Sequence, residues 1–125
     1  MSQLVKIEFG SYGYFGPQDK YTLDLAEHIM TKESREAMGS DIVTRRQKRF
    51  SSKRLLKILA VLEKLDIEHL QDYYNNPYIM DGEQWSFSAY YSNGKKVKSG
   101  GSNDYPEYFE EFRDIFKPLD KRGIF

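Results

Sequence analysis

The stretch from Asp81 to Leu119 reads DGEQWSFSAYYSNGKKVKSGGSNDYPEYFEEFRDIFKPL, and it predicts much of the architecture. Apolar and polar residues alternate from Trp85 to Tyr91, as in a strand with one buried and one wet face. Asn93-Gly94 predicts a hairpin turn, because both residues tolerate positive φ. A short polar strand then returns through residues 96–99. Pro106 is suited to the first position of a helix whose apolar residues recur at helical spacing and which Pro118 ends.

Two other parts of the chain carry clear periodicity. Residues 4–9 and 21–25 alternate between apolar and polar side chains and predict an antiparallel hairpin. Ser51 or Ser52 is a good N-cap for a helix with a wide apolar stripe. A second short helix is predicted from Asp66. Residues 27–40 fit a short helix or an extension of the preceding strand, and the sequence leaves both open. The structure of residues 27–50 is not predicted.

These elements predict an α+β fold. Two hairpins form an antiparallel sheet of about four strands, and helices cover one face, in the order β-β-α-β-β-α. Residues 1–125 make a single domain, in which residues 120–125 are expected to be a flexible tail.

Composition narrows the class of protein. The chain has no cysteine, which excludes disulfides and thiolate metal sites and fits a reducing cytosol, so the expected location is cytoplasmic. Its 19 basic and 19 acidic residues balance, so net charge points to no class of partner. No signal peptide is visible, and no apolar run approaches the ~20 residues of a membrane span, so no membrane partner is expected.

A dense basic run follows the ambiguous segment. No acidic residue interrupts it between Arg45 and Lys57, and Phe50 lies within it. Such a run can neutralise several phosphates, and the ring can stack on a base. The alternative is a solvated loop and first helical turn. The residues that would contact nucleic acid or another anion form the basic cluster: Arg45, Arg46, Lys48, Arg49, Lys53 and Arg54.

Exposed aromatic residues suggest contact with another protein. Three lie on a glycine-flanked loop near the N-terminus, and a fourth shares the polar face of a strand with Ser86 and Ser88. Tyrosine suits recognition because it offers a large contact area at low entropic cost. The alternative for the loop is that its rings fold back over the edge of the sheet. The candidates for protein contact are Tyr12, Tyr14, Phe15 and Tyr90.

Two further features have simpler explanations. The glycine-rich corner at residues 100–103 precedes a helix, where backbone amides attract anions, but it lacks a phosphate-loop motif and is better explained as a turn. A row of carboxylates follows from Asp104 to Asp114. It could contact a basic partner, although a solvated helix face is the more usual meaning of such a row.

Catalytic chemistry finds little support in the sequence. The two histidines, His28 and His69, lie far apart and fit no metal-binding spacing. Asp81 and Glu83 border a strand and are predicted to be a turn acid and a surface acid. We therefore assign no catalytic residue, no metal and no cofactor.

The C-terminal third of the chain resembles a family of small bacterial proteins. The residues that carry the likeness are Asp81-Gly82 and Trp85, then Asn93-Gly94, and then Gly101-Ser102-Asn103 with Tyr105-Pro106. The pattern is similar to that of uncharacterised proteins of Firmicutes and their mobile elements. The resemblance implies a strand, hairpin and helix in this order, and it implies no activity.

The expected function is therefore that of a non-catalytic binding protein that docks on another protein. The resemblance to proteins of mobile elements implies one form of this function, an inhibitor or modulator of a host or defence protein. The main alternative is a nucleic-acid-binding accessory protein that uses the basic cluster, and an enzyme is a third.

Overall fold

The computed structural model describes residues 3–13, 18–35, 43–78 and 82–120. Within these ranges the chain forms seven strands, three helices and one 3-10 turn. The strands are β1 (Leu4–Gly13), β2 (Gln18–Asp24), β3 (Ile29–Arg35), β4 (Val43–Arg49), β5 (Tyr74–Asn75), β6 (Glu83–Tyr91) and β7 (Lys96–Ser102). The helices are α1 (Ser52–Leu65), α2 (Phe109–Asp114) and α3 (Lys117–Asp120), and the 3-10 turn is Ile67–His69.

The strands of the described ranges form one mixed sheet in the order β4-β3-β2-β1-β6-β7-β5. Neighbours are antiparallel except β5, which runs parallel to β7. The predicted sheet of about four strands in the order β-β-α-β-β-α is therefore wrong. Both predicted hairpins form, but the ambiguous residues 27–50 supply two further strands that extend the sheet beyond β2.

All three helices pack on one face of the sheet. Ile58, Leu62 and Leu65 of α1 join the same buried cluster as Phe109 and Phe112 of α2. The sheet contributes alternate residues of its strands, as a sheet with one covered face requires. These residues are Ile7, Phe9, Tyr21, Leu23, Met30, Trp85, Phe87 and Ala89. We call the opposite, uncovered side the open face.

Phe9 lies at the centre of the aromatic core. Its ring meets Phe112 edge-on, with 5.5 Å between centroids, and stacks on Tyr21 at 5.8 Å. Phe109 and Phe116 complete the ring cluster around it. Edge-to-face pairs of this kind add stability beyond their buried area.

A shift of register alters the beginning of β1. The pairing with β6 slips between Leu4 and Lys6, so that Leu4 lies opposite Tyr91 and Lys6 opposite Tyr90. Leu4 therefore packs against the core, whereas unbroken alternation with Ile7 and Phe9 would bring Val5 to that face.

The helix that the sequence predicts from Ser51 is confirmed. The Ser51 side chain accepts a hydrogen bond from the Arg54 amide at 3.1 Å and caps α1. The helix predicted from Asp66 is only the 3-10 turn, and the short strand β5 follows it in the chain.

The C-terminal segment also differs from the prediction. Gly100 and Gly101 belong to β7 and do not form a corner. Pro106 precedes α2, which begins at Phe109 after Tyr108 adopts a left-handed backbone with φ 65°. Pro118 lies inside α3 and does not end a helix.

Candidate binding surface

The strand register assigns side chains to the open face, because residues paired across a sheet share a face. Four rows of paired residues cross this face from β4 to β7. The first two rows are Arg49–Ile29–Asp24–Lys6–Tyr90–Lys96 and Gln47–Thr31–Thr22–Glu8–Ser88–Lys98. The other two are Arg45–Glu33–Lys20–Gly10–Ser86–Gly100 and Val43–Arg35–Gln18–Tyr12–Gln84–Ser102. Two of the predicted contact residues, Tyr12 and Tyr90, therefore lie on this face. The other two, Tyr14 and Phe15, lie outside the described residues.

Basic residues outnumber acidic ones on the open face. In the part of the chain that the structure describes, this face carries seven basic residues: Lys6, Lys20, Arg35, Arg45, Arg49, Lys96 and Lys98. The same part contributes three acidic residues to it, which are Glu8, Asp24 and Glu33. Two of these carboxylates already have partners: Glu8 lies 3.0 Å from the Lys20 ammonium, and Asp24 accepts from the amides of Ala26 and Glu27. The open face is thus a positively charged surface in a chain with no net charge.

Tyr90 lies between two lysines. The ammonium groups of Lys6 and Lys96 lie 4.7 Å and 4.8 Å from the centroid of its ring. These contacts are cation–π interactions, which hold the ring and both charges in place. Hydrogen bonding from the Tyr90 hydroxyl, together with Lys20, holds the pKa of the Glu8 carboxyl below its ordinary value.

Tyr12 lines a groove of about 460 Å³ on the same face. Gly10 forms part of its floor, where a Cβ atom would lie 2.8 Å from the Ser86 hydroxyl oxygen. Tyr12 is 38% exposed. It lies six positions along β1 from Lys6, the residue paired with Tyr90, which corresponds to about 20 Å along the strand. The two tyrosines therefore mark opposite ends of one surface.

The basic cluster is divided between a strand and the first turn of a helix, so the alternative of a loop and first helical turn holds only for its last two members. Its first four members lie on β4, whose alternation divides them between the two faces. Arg45 and Arg49 join the open face, whereas Arg46 and Lys48 point to the helix side, where Arg46 donates to the Leu119 carbonyl at 2.9 Å. The last two members, Lys53 and Arg54, lie in the first turn of α1. The six residues are thus contiguous in sequence but form no single patch.

Phe50, predicted to be available for stacking on a base, is already engaged. Its ring stacks on His28 with 5.3 Å between centroids and packs against the core. The second histidine, His69, lies 2.8 Å from the Asp66 carboxylate on the surface. Among the described residues, no group of three or more histidines and acids has the placement to hold a metal ion.

The acidic residues of α2 lie on the helix side of the molecule. Glu111 lies 3.4 Å from the Lys64 ammonium of α1, and Asp114 lies 3.1 Å from that of Lys117. Both pairs are exposed, so each contributes little to stability. Contact of this helix with a basic partner stays a prediction.

Glu83 is the centre of a side-chain cluster that the sequence does not predict. It is predicted to be a surface acid, yet it is partly buried and binds both guanidinium nitrogens of Arg113. The hydroxyl groups of Ser11 and Tyr105 also donate to it. Burial alone would raise the pKa of Glu83, but these donors offset it and the pKa is lowered. No local sequence pattern reveals this cluster, because its members come from four separate segments.

The Glu83 cluster has the properties of a structural ion pair. Every oxygen of the carboxylate already accepts hydrogen bonds, and Arg113 is also placed over the Phe9 ring, with Cζ 5.6 Å from its centroid. A carboxylate with a lowered pKa is a poor general base near neutral pH. The cluster fastens α2 to the ends of β1 and β6.

No protein-family model matches the chain, and a search of curated proteins gives no significant match. In the part of the chain that the structure describes, no helix has the length and apolar character needed to cross a membrane.

Proposed function

We propose that this chain is a non-catalytic binding protein of the bacterial cytoplasm that docks its open face on an acidic surface of another protein. The observation that carries the proposal is that Tyr12, Tyr90 and seven basic residues share the face that the helices leave uncovered. Aromatic and arginine side chains dominate the energy of protein interfaces. Surrounding lysines steer the encounter with an oppositely charged partner.

The resemblance to proteins of mobile elements makes a host or defence protein the first partner to test. In that setting the chain would act as an inhibitor or modulator, because binding alone is enough to block a surface.

Affinity capture from a bacterial lysate tests this proposal. The open-face variant Lys96→Glu/Lys98→Glu is expected to lose the captured partner, because charge reversal removes the attraction. The matched control is Lys64→Glu/Lys117→Glu, which makes the same change of charge among the helices and is expected to retain it. The captured protein is then purified and titrated directly at rising salt concentration. A partner that the open-face variant retains and the control loses would contradict the proposal.

Nucleic-acid binding is the second candidate, because Arg45 and Arg49 add to the positive charge of the open face. The arrangement of rings weighs against it. Tyr90 lies between two ammonium groups, and Phe50 stacks on His28, so neither ring is free to stack on a base. Contact through phosphates alone would be strongly salt-dependent and indifferent to sequence. Titration of labelled single- and double-stranded oligonucleotides at low salt tests it, and the absence of binding would exclude it.

A further inference from the structure

β4 forms one outer edge of the sheet, on the side away from the β6–β7 hairpin. Within the described residues, its only strand partner is β3. An unpaired edge of this length presents a row of backbone donors and acceptors that can template another strand. Such an edge normally requires a cover or a charge that prevents unwanted pairing.

The hydrogen-bond pattern shows which backbone groups of this edge are available. The Phe50 amide donates to the His28 carbonyl at 2.9 Å, one pair beyond the Ile29–Arg49 pair. Hydrogen-bonded and non-bonded pairs alternate in an antiparallel ladder. The amide and carbonyl groups that point outward therefore belong to Val43, Arg45, Gln47 and Arg49.

The basic residues of β4 are arranged symmetrically about Gln47. Residues 45–49 read Arg-Arg-Gln-Lys-Arg, so two basic residues flank Gln47 on each side and no acid is present in β4. Arg45, Lys48 and Arg49 are exposed and form no ion pair among the described residues. Glu33 is the cross-strand neighbour of Arg45, yet the two side chains form no ion pair.

We infer that an extended acidic segment of the partner protein adds to β4 as a further strand. Acidic residues of that segment would lie opposite Arg45 and Arg49 on the open face, and opposite Arg46 and Lys48 on the helix side. Opposite charges across a strand pair are stabilising, and main-chain hydrogen bonds supply the remaining affinity. Because the basic residues are symmetric about Gln47, their charge alone does not set the direction of the segment, which the hydrogen-bond pattern of the ladder decides.

The same charges exclude a second copy of this strand as the occupant. Two β4 edges would place basic residues opposite basic residues, which is destabilising. Nucleic acid would use the positive charge but not the outward amide and carbonyl groups. The inference rests on the proposed function and specifies the chemistry of its partner.

The test uses the full chain and a synthetic peptide as long as β4, acetyl-Thr-Glu-Glu-Thr-Glu-Glu-Thr-amide. Binding is followed by NMR chemical-shift changes, which are expected to centre on residues 43–49. Gln47→Pro removes an outward amide that no strand of the fold uses, and proline is tolerated on the free side of an edge strand. This variant is expected to bind about tenfold more weakly, whereas Gln47→Ala keeps the amide and the affinity.

Backbone methylation of the peptide separates strand addition from simple charge attraction. Two peptides carry N-methyl groups on alternate residues, one on the odd-numbered and the other on the even-numbered residues. Both methylation phases leave every carboxylate in place. One phase is expected to abolish binding because it blocks the amides that face β4, and the other is expected to retain it. The phase that fails also reveals whether the segment runs parallel or antiparallel.

The outcomes distinguish this inference from the proposed function. Strand addition would be overturned if both methylated peptides bind equally well and Gln47→Pro keeps full affinity for the peptide. It would also be overturned if the unmethylated peptide does not bind the unsubstituted chain. Failure of the proposed function is measured instead in the capture experiment with Lys96→Glu/Lys98→Glu. One further outcome is that an oligonucleotide displaces the peptide equally well from the unsubstituted chain and from Gln47→Pro. That result would identify a phosphate backbone, and not an acidic segment, as the occupant of β4.

Discussion

The indole of Trp85 lies directly against Gly101 on the neighbouring strand. The two residues are paired across β6 and β7, and the Trp85 Nε1–H group donates to the Asp104 carbonyl at 2.8 Å. A Cβ atom at residue 101 would lie 2.5 Å from Nε1 and 2.8 Å from the same carbonyl oxygen. Residue 101 must therefore lack a side chain for the indole to reach its acceptor.

We expect Gly101→Ala to destabilise the fold by about 1–3 kcal/mol, because the added methyl group displaces a packed ring. Chemical denaturation measures the loss, and a red shift of Trp85 fluorescence reports the displaced indole. Lys98→Ala, an exposed change on the open face of the same strand, is the control and is expected to be nearly neutral. Equal stability of the two variants would show that the ring moves at no cost.

Loss of the Glu83 charge tests the ion pair that fastens α2. Glu83→Gln is expected to lower the free energy of unfolding by about 1–3 kcal/mol, because it leaves Arg113 without its carboxylate. The expected loss is smaller than for a fully buried pair, since the Arg113 side chain is 39% exposed. Denaturation at neutral pH measures it.

The control for this variant is Glu110→Gln, which removes an exposed carboxylate from α2. Acid titration provides a second readout. The lowered pKa of Glu83 means that its contribution is present above the ordinary value of 4.5 and is lost as pH falls through the lower value of the folded state. The unsubstituted protein should therefore lose stability more steeply in acid than Glu83→Gln, and parallel curves would contradict this role.

Two tyrosines are expected to ionise late. Burial raises the pKa of Tyr21 and of Tyr105 to about 12, and the carboxylates of Asp120 and Glu83 add to the effect. Because the folded state holds these protons more tightly, their stabilising contribution is complete below the ordinary value of 10.0 and is lost as pH rises towards 12. Tyrosinate absorbance should show late-titrating groups, and Tyr105→Phe should remove one of them. Titration of all tyrosines near pH 10 in folded protein would refute this.

The aromatic core is expected to dominate stability. Phe112 is fully buried and meets both Phe9 and Phe87 edge-on, so Phe112→Ala should cost about 3–5 kcal/mol. Leu56→Ala provides the contrast on α1, because Leu56 is 68% exposed and its loss leaves no cavity. Thermal and chemical denaturation compare the two variants. An equal loss of stability in both variants would mean that Leu56 is buried in an interface between chains.

Local sequence patterns predict those parts of the fold in which each strand or helix has an apolar side. The β6–β7 hairpin, the buried Trp85 and the N-cap of α1 follow from alternation, turn residues and capping chemistry. β4 escapes prediction because an edge strand of Arg, Lys, Gln and Thr has no apolar alternation to detect. β5 is only two residues long, and its pairing depends on β7 rather than on its own sequence.

The candidate site was predictable only in part, for a related reason. Alternation along β6 places Tyr90 on the polar face, and the structure agrees. That Tyr12, Lys20 and Arg45 share this face depends on the order of the strands, which no local pattern encodes. The Glu83 cluster likewise depends on contacts between residues far apart in the chain.

The uncovered side of the sheet has a consequence for how this protein can evolve. Along β1 and β6, each residue that anchors the core is followed by one that faces solvent. Under the proposed function, substitutions at the second set would change what the open face binds while leaving the folding free energy nearly unchanged. New specificities could thus arise at half the positions of each strand, while the other half is constrained by the packing of the core.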